Sequence, residues 1–129
     1  MFLGALWTVG YMGLAGIPFN QTLAGVISMI VGLGVDYGMH LTHRFLEELR
    51  ESNPHPIISA LEGVGPGILV GALTTGGGFL ALLSGELTAI HDFGKTLAIG
   101  IFASMFAAFT VTPALLQVFY GEKVRGEEK

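Results

Sequence analysis

Cysteine is absent from this 129-residue chain, which excludes a disulfide framework and any thiolate metal site and leaves the redox compartment unmarked. Charge is nearly as scarce: Asp, Glu, Lys and Arg make up 12% of the residues, against about 25% in soluble domains. The net charge of −4 and the lack of a basic stripe exclude a nucleic-acid partner, because nothing is in place to neutralise a row of phosphates. The sequence has no nucleophile with a base at workable spacing, no phosphate loop and no metal-ligand set, so an enzyme is not expected and no cofactor is called for. The N-terminus, Met-Phe-Leu-Gly-Ala-Leu-Trp, has neither the basic stretch nor the small-residue cleavage site of a signal peptide. It reads as a helix entered partway along.

What the chain does have is apolar length. Apolar residues make up 51% of it, 20 residues are Gly, and the mean hydropathy is +0.66. The charges collect between long apolar blocks, as in a membrane protein. Four segments, about 1–17, 21–45, 57–84 and 93–120, each come close to the ~20 residues needed to span a bilayer. The expectation is an all-α membrane protein, a single transmembrane domain over 1–129 built as a four-helix bundle. Pro18 ends the first segment, and Asn20 is placed to cap the second. Arg44 and Glu48 lie four apart and can pair on a solvated helix end, after which Asn53-Pro-His-Pro56 turns the chain. Pro66 lies near the start of the third segment and Pro113 near the end of the fourth, with Asp92 as its candidate cap. Glu62 and Glu86 lie near helix ends and read as interfacial. Arg44, Arg50, Lys123, Arg125 and Lys129 fall on one side and Lys95 alone near the other, which places both termini in the cytoplasm.

Asp36 stands out because it sits inside the apolar run Leu23 to Leu41. An ionised carboxylate at bilayer depth costs at least ~2.5–3.5 kcal/mol, so such residues default to functional hypotheses. A low-dielectric site favours the protonated acid, which suits a group that loads and releases protons. Asp36, His40 and His43 lie at i, i+4 and i+7 on one helix face. Tyr37, on the adjacent face, can hydrogen-bond a carboxylate on a neighbouring helix. Asp36, Tyr37, His40 and Thr75 are the candidate proton relay. The alternative for Asp36 is a structural hydrogen bond to another helix. His43, beside Arg44, reads as interfacial, and no outside cluster of Cys, His or Glu completes a metal set.

Glycine spacing supplies the packing expectation. Gly34 and Gly38 flank Asp36, Gly63, Gly67, Gly71 and Thr75 recur every four residues on the third segment, and Gly100, Ser104, Ala108 and Thr112 do so on the fourth. Small-xxx-small ridges let helix backbones approach closely in lipid. Thr74 and Thr75, followed by three glycines, are expected to interrupt the third helix near its middle. Their hydroxyls either reach Asp36 across the helix pair or bond back to their own helix.

Asn20-Gln-Thr, Gly32-Leu-Gly-Val-Asp-Tyr-Gly38, the charged run ending in Pro, Leu73-Thr-Thr-Gly-Gly-Gly-Phe79, Phe93-Gly94 and Thr112-Pro-Ala-Leu-Leu116 together resemble the resistance-nodulation-division (RND) superfamily. The likeness is to its hydrophobe and lipid exporter (MMPL-like) branch, related to Patched and the sterol-sensing domains, and it covers nearly the whole chain. It implies four helices of one six-helix transporter half, with Asp36 and Tyr37 matching the Asp-Tyr pair used in proton coupling. It implies parallel repeats about an axis along the membrane normal, and as partners membrane lipids, a hydrophobic substrate and either the remainder of the transporter or a second copy. The first two helices of a half, a large extracytoplasmic domain and the second half are lacking, so the chain reads as a fragment or a truncated homologue in the cell (inner) membrane. A sterol-sensing-like module that binds lipid and regulates a partner without transport is the alternative.

Overall fold

The computed structural model describes residues 2–18, 21–85 and 87–126, with 2, 22, 23 and 121–126 described as backbone only. Helices α1 (Phe2–Ala15), α2 (Gln21–Arg50), α3 (Pro56–Leu80) and α4 (Thr88–Gly126) follow one another, with a 3-10 turn at Ala81–Ser84 extending α3. Among the described residues, three helical stretches are long and apolar enough to cross a membrane: Ala24–Arg50, Pro56–Ser84 and Thr88–Tyr120. The fourth expected span is shorter. At 14 residues, α1 rises about 21 Å, less than the ~30 Å of a hydrocarbon core.

The helices run alternately up and down, because their core contacts stack in three layers. One end holds Met12, Val26, Ile30 and Leu97, with Phe79 and Phe93 packed against them. The middle holds Tyr37, Ile68, Ala72, Ile101 and Ala108. The other end holds Leu41, Phe45, Ala60 and Leu116, with Tyr120 edge-on to Phe45 at 5.7 Å. Long-axis order is therefore shared by α2, α3 and α4 from end to end.

Turn chemistry explains the helix ends. Gly16 has φ +65° and the Ile17 amide donates to the Met12 carbonyl at 3.0 Å, a left-handed glycine cap that Pro18 then seals. The charged run after Phe45 continues α2 to Arg50 rather than ending it. Ser52, at φ +55°, reverses the chain, with Asn53 N–H donating to the Glu48 carbonyl at 3.1 Å. Pro56 opens α3, where a missing N–H costs nothing.

Several expectations need correction. Asp92 lies within α4, which begins at Thr88 with Ile90 and His91 amides donating to the Leu87 carbonyl. The glycine run 76–78 does not interrupt α3. Gly76 is buried against the Phe102 ring, so packing holds the helix through that weak stretch. The Arg44–Glu48 pair forms, yet Glu48 is buried rather than solvated. The Asn20 cap, Glu86 and Lys129 lie outside the described residues, as do the side chains of Lys123 and Arg125.

Candidate functional site

α2 positions the candidate relay. Its bundle-facing stripe comprises Val26, Ile30, Gly34, Tyr37, Gly38, Leu41 and Phe45, all buried. Asp36 lies on the opposite stripe and is exposed, as are His40 and His43. No hydrogen bond or ion pair reaches the Asp36 carboxylate from the described residues. Tyr37 instead enters the core among Ile68, Ala72, Ile101 and Ala108. Asp36 and His40 thus share an exposed face, while Tyr37 is buried in the core.

Thr75 is exposed on α3 and makes no hydrogen bond to Asp36. Its neighbour Thr74 bonds back, donating to the Val70 carbonyl at 2.8 Å; Thr42 does the same to Gly38 at 2.7 Å. A hydroxyl satisfied by its own helix needs no partner across the bundle.

The outward stripe of α2 has its own pattern. Gly25, Met29, Gly32, Asp36, Met39 and His43 are all exposed, at alternating spacings of four and three, the spacing with which one helix seats against another. A Cβ at Gly25 or Gly32 would meet nothing within 4 Å. Asp36 lies in the middle of an exposed stripe that carries two glycines and has no partner among the described residues.

The predicted packing residues divide. Gly100 touches Ile30 and the Thr8 hydroxyl, and Ser104 packs on Gly4, so the α4 ridge is a contact seam; Gly34 and Gly38 are buried on the bundle-facing stripe, away from the exposed Asp36 they flank in sequence. Gly67 and Gly71 are exposed with nothing within 4 Å of a Cβ. α3 buries Pro56, Ala60, Gly65, Ile68, Ala72 and Gly76 instead, a face that accepts the rings of Phe102 and Phe109.

Sequence reasoning missed the burial of Thr8 and Thr96. Thr8 is buried and donates to the Gly4 carbonyl at 2.8 Å; the signal was a Gly4-xxx-Thr8 ridge on α1. Thr96 and Ser104 bury hydroxyls with no partner among the described residues. No group of three or more His, Asp or Glu among the described residues is placed to hold a metal.

A family model described as the MMPL family matches residues 4–128. MJ1562 of Methanocaldococcus jannaschii, named as a membrane protein, is 39% identical over 120 residues, covering 92% of this chain and 31% of its own length. ActII-3 of Streptomyces coelicolor, also named as a membrane protein, is 32% identical over 108 residues, covering 81% of this chain and 15% of its own. The sulfolipid-1 exporter MmpL8 of Mycobacterium tuberculosis is 32% identical over 111 residues, covering 84% of this chain and 10% of its own. The chain therefore spans a third or less of the curated relatives it matches. No solved structure matches the chain.

Proposed function

The chain belongs to the MMPL family, and from that premise we propose that it is the proton-coupling transmembrane module of an RND-type exporter of lipids or other hydrophobic compounds. Asp36 takes and releases the proton. His40, one turn along the same face, passes it toward the charged end of α2, and Tyr37 and Thr75 respond to the helix shift that follows.

The observation that carries this reading is the placement of Asp36. A carboxylate inside the span Ala24–Arg50 has no described partner and lies on a glycine-bearing seam that this bundle leaves open. Facing lipid, it carries the whole insertion cost. Facing a second helix, it gains a partner that can depend on its protonation. That second helix belongs to the remainder of the transporter or to a second copy. The module lies in the cell membrane with both termini cytoplasmic, by the distribution of Lys and Arg.

A transport assay tests this reading. Export of a fluorescent lipid from cells carrying the wild-type protein is compared with Asp36→Asn and with protonophore treatment. Loss of export in both arms supports proton coupling through Asp36. Export that survives both contradicts it, and saturable lipid binding independent of Asp36 would favour the lipid-sensing alternative.

A further inference from the structure

We propose that Glu48 is the pin of a clamp that joins α2 and α3 into one rigid unit. Its side chain is 6% exposed, and both carboxylate oxygens are engaged. Arg44 Nη2 lies 2.5 Å from Oε1, and Asn53 Nδ2 donates to Oε2 at 2.6 Å. The same Asn53 amide group reaches Ser59 Oγ on α3 at 2.9 Å, while its Oδ1 accepts the His55 N–H at 3.0 Å. Asn53 is therefore tied to the end of α2, to the turn and to the first turn of α3.

The backbone reinforces the side chains. The Glu48 carbonyl accepts from Asn53 N–H at 3.1 Å, so Glu48 holds Asn53 twice. Ser52 takes the left-handed conformation, φ +55°, that this reversal demands and that a non-glycine residue adopts at a cost. Arg44 completes the clamp by lying along α3, where a Cβ at Gly63 would be 3.4 Å from its Nε. Beneath these groups, Leu41, Phe45 and Ala60 close the apolar side.

Parting the two helices would break the Asn53–Ser59 bond and loosen the Asn53 amide from the buried Glu48 carboxylate, which would keep only Arg44 from its own helix, a costly loss for a buried charge. The helices therefore move together. Asp36 lies twelve residues back along α2, about 18 Å at helical rise, so any displacement of Asp36 carries α3 with it. The clamp stands whether or not Asp36 handles protons.

The chain contains no cysteine, so cysteines introduced at the exposed positions Met39 on α2 and Val70 on α3 carry spin labels there alone. In the full chain in lipid nanodiscs, the wild type should give one narrow distance distribution. Asn53→Ala should broaden it about twofold and speed exchange of the Asn53 and Ser59 amides about tenfold. Glu48→Gln, which keeps the volume and an acceptor oxygen, should shift both readouts in the same direction by less. If Asn53→Ala does not fold, Ser59→Ala removes one arm of the clamp and should broaden the distribution while helix content stays intact. Unchanged width and exchange in folded variants would overturn the clamp.

Discussion

Gly94 of α4 faces the carbonyl oxygen of Phe79 at the end of α3 so closely that a Cβ at 94 would lie 2.6 Å from it and 2.8 Å from Leu82 Cβ. The Phe93-Gly94 pair thus has a physical reason. Phe93 stacks edge-on against Phe79 at 6.2 Å between ring centroids, and only a glycine next to it lets the two helix ends meet.

Gly94→Ala should destabilise the bundle by about 1–3 kcal/mol, because the atom in the way is backbone and cannot rotate aside. Unfolding in mild detergent, followed by circular dichroism against a denaturant titration, measures it. Wild-type stability in Gly94→Ala would show that the helix ends are further apart than described.

Gly100→Ala should cost a similar amount, about 1–3 kcal/mol, but for a different reason. A Cβ there would lie 2.1 Å from Ile30 Cδ1 and 3.1 Å from Thr8 Oγ1, and Ile30 is fully buried. Shortening that side chain makes room. Because Ile30 Cγ1 crowds the same point, Ile30→Ala is the change that clears it, and the double variant Gly100→Ala with Ile30→Ala should lose less stability than the sum of the two single variants, a coupling that a double-mutant cycle reads directly.

Gly67→Ala and Gly71→Ala should be neutral or stabilising by up to about 1 kcal/mol each, since alanine favours helix and both positions open onto free space. The same substitution at Gly76 would place a Cβ 2.8 Å from the Phe102 ring and should destabilise. Thermal melts of the three variants separate the two faces of α3, and an equal loss in all three would contradict the assignment.

Ser52→Gly should stabilise the α2–α3 turn by about 1 kcal/mol, because glycine adopts φ +55° without the steric cost a serine bears. Ser104→Ala, which removes a buried hydroxyl with no partner among the described residues, should be neutral or stabilising by about 1 kcal/mol. Denaturant midpoints for both variants check these values.

Much of this architecture is legible in the amino-acid order. Apolar blocks punctuated by Pro18, Asn53-Pro-His-Pro56 and the stretch around Gly85 mark four helices, and the Gly100-xxx-Ser104 spacing identifies a true contact ridge. The start of α4 is harder to see, because His91, Asp92 and Lys95 read as a polar loop although the helix runs straight through them. α3 offers glycines on every side, so the choice of packing face rests on where Phe102 and Phe109 arrive from α4, a tertiary fact. The burial of Glu48 depends on Asn53 being brought back by a left-handed serine, which no local spacing announces. For the site, Asp36 and His40 share a face as helical periodicity requires. That this face turns outward could not be read, since both sides of α2 carry glycines at helix-packing intervals.

The most direct test of the central claim is an infrared difference spectrum on acidification of the protein in lipid nanodiscs, with Asp36→Asn as control. Proton coupling through Asp36 predicts that subtracting the Asp36→Asn spectrum from the wild-type one, which cancels the bands of the other nine Asp and Glu carboxyl groups, leaves a carboxylic-acid band that grows as the pH falls, together with amide changes from shifting helices. Amide changes that persist in Asp36→Asn, or an Asp36 band that titrates with no movement of the helices, would contradict it.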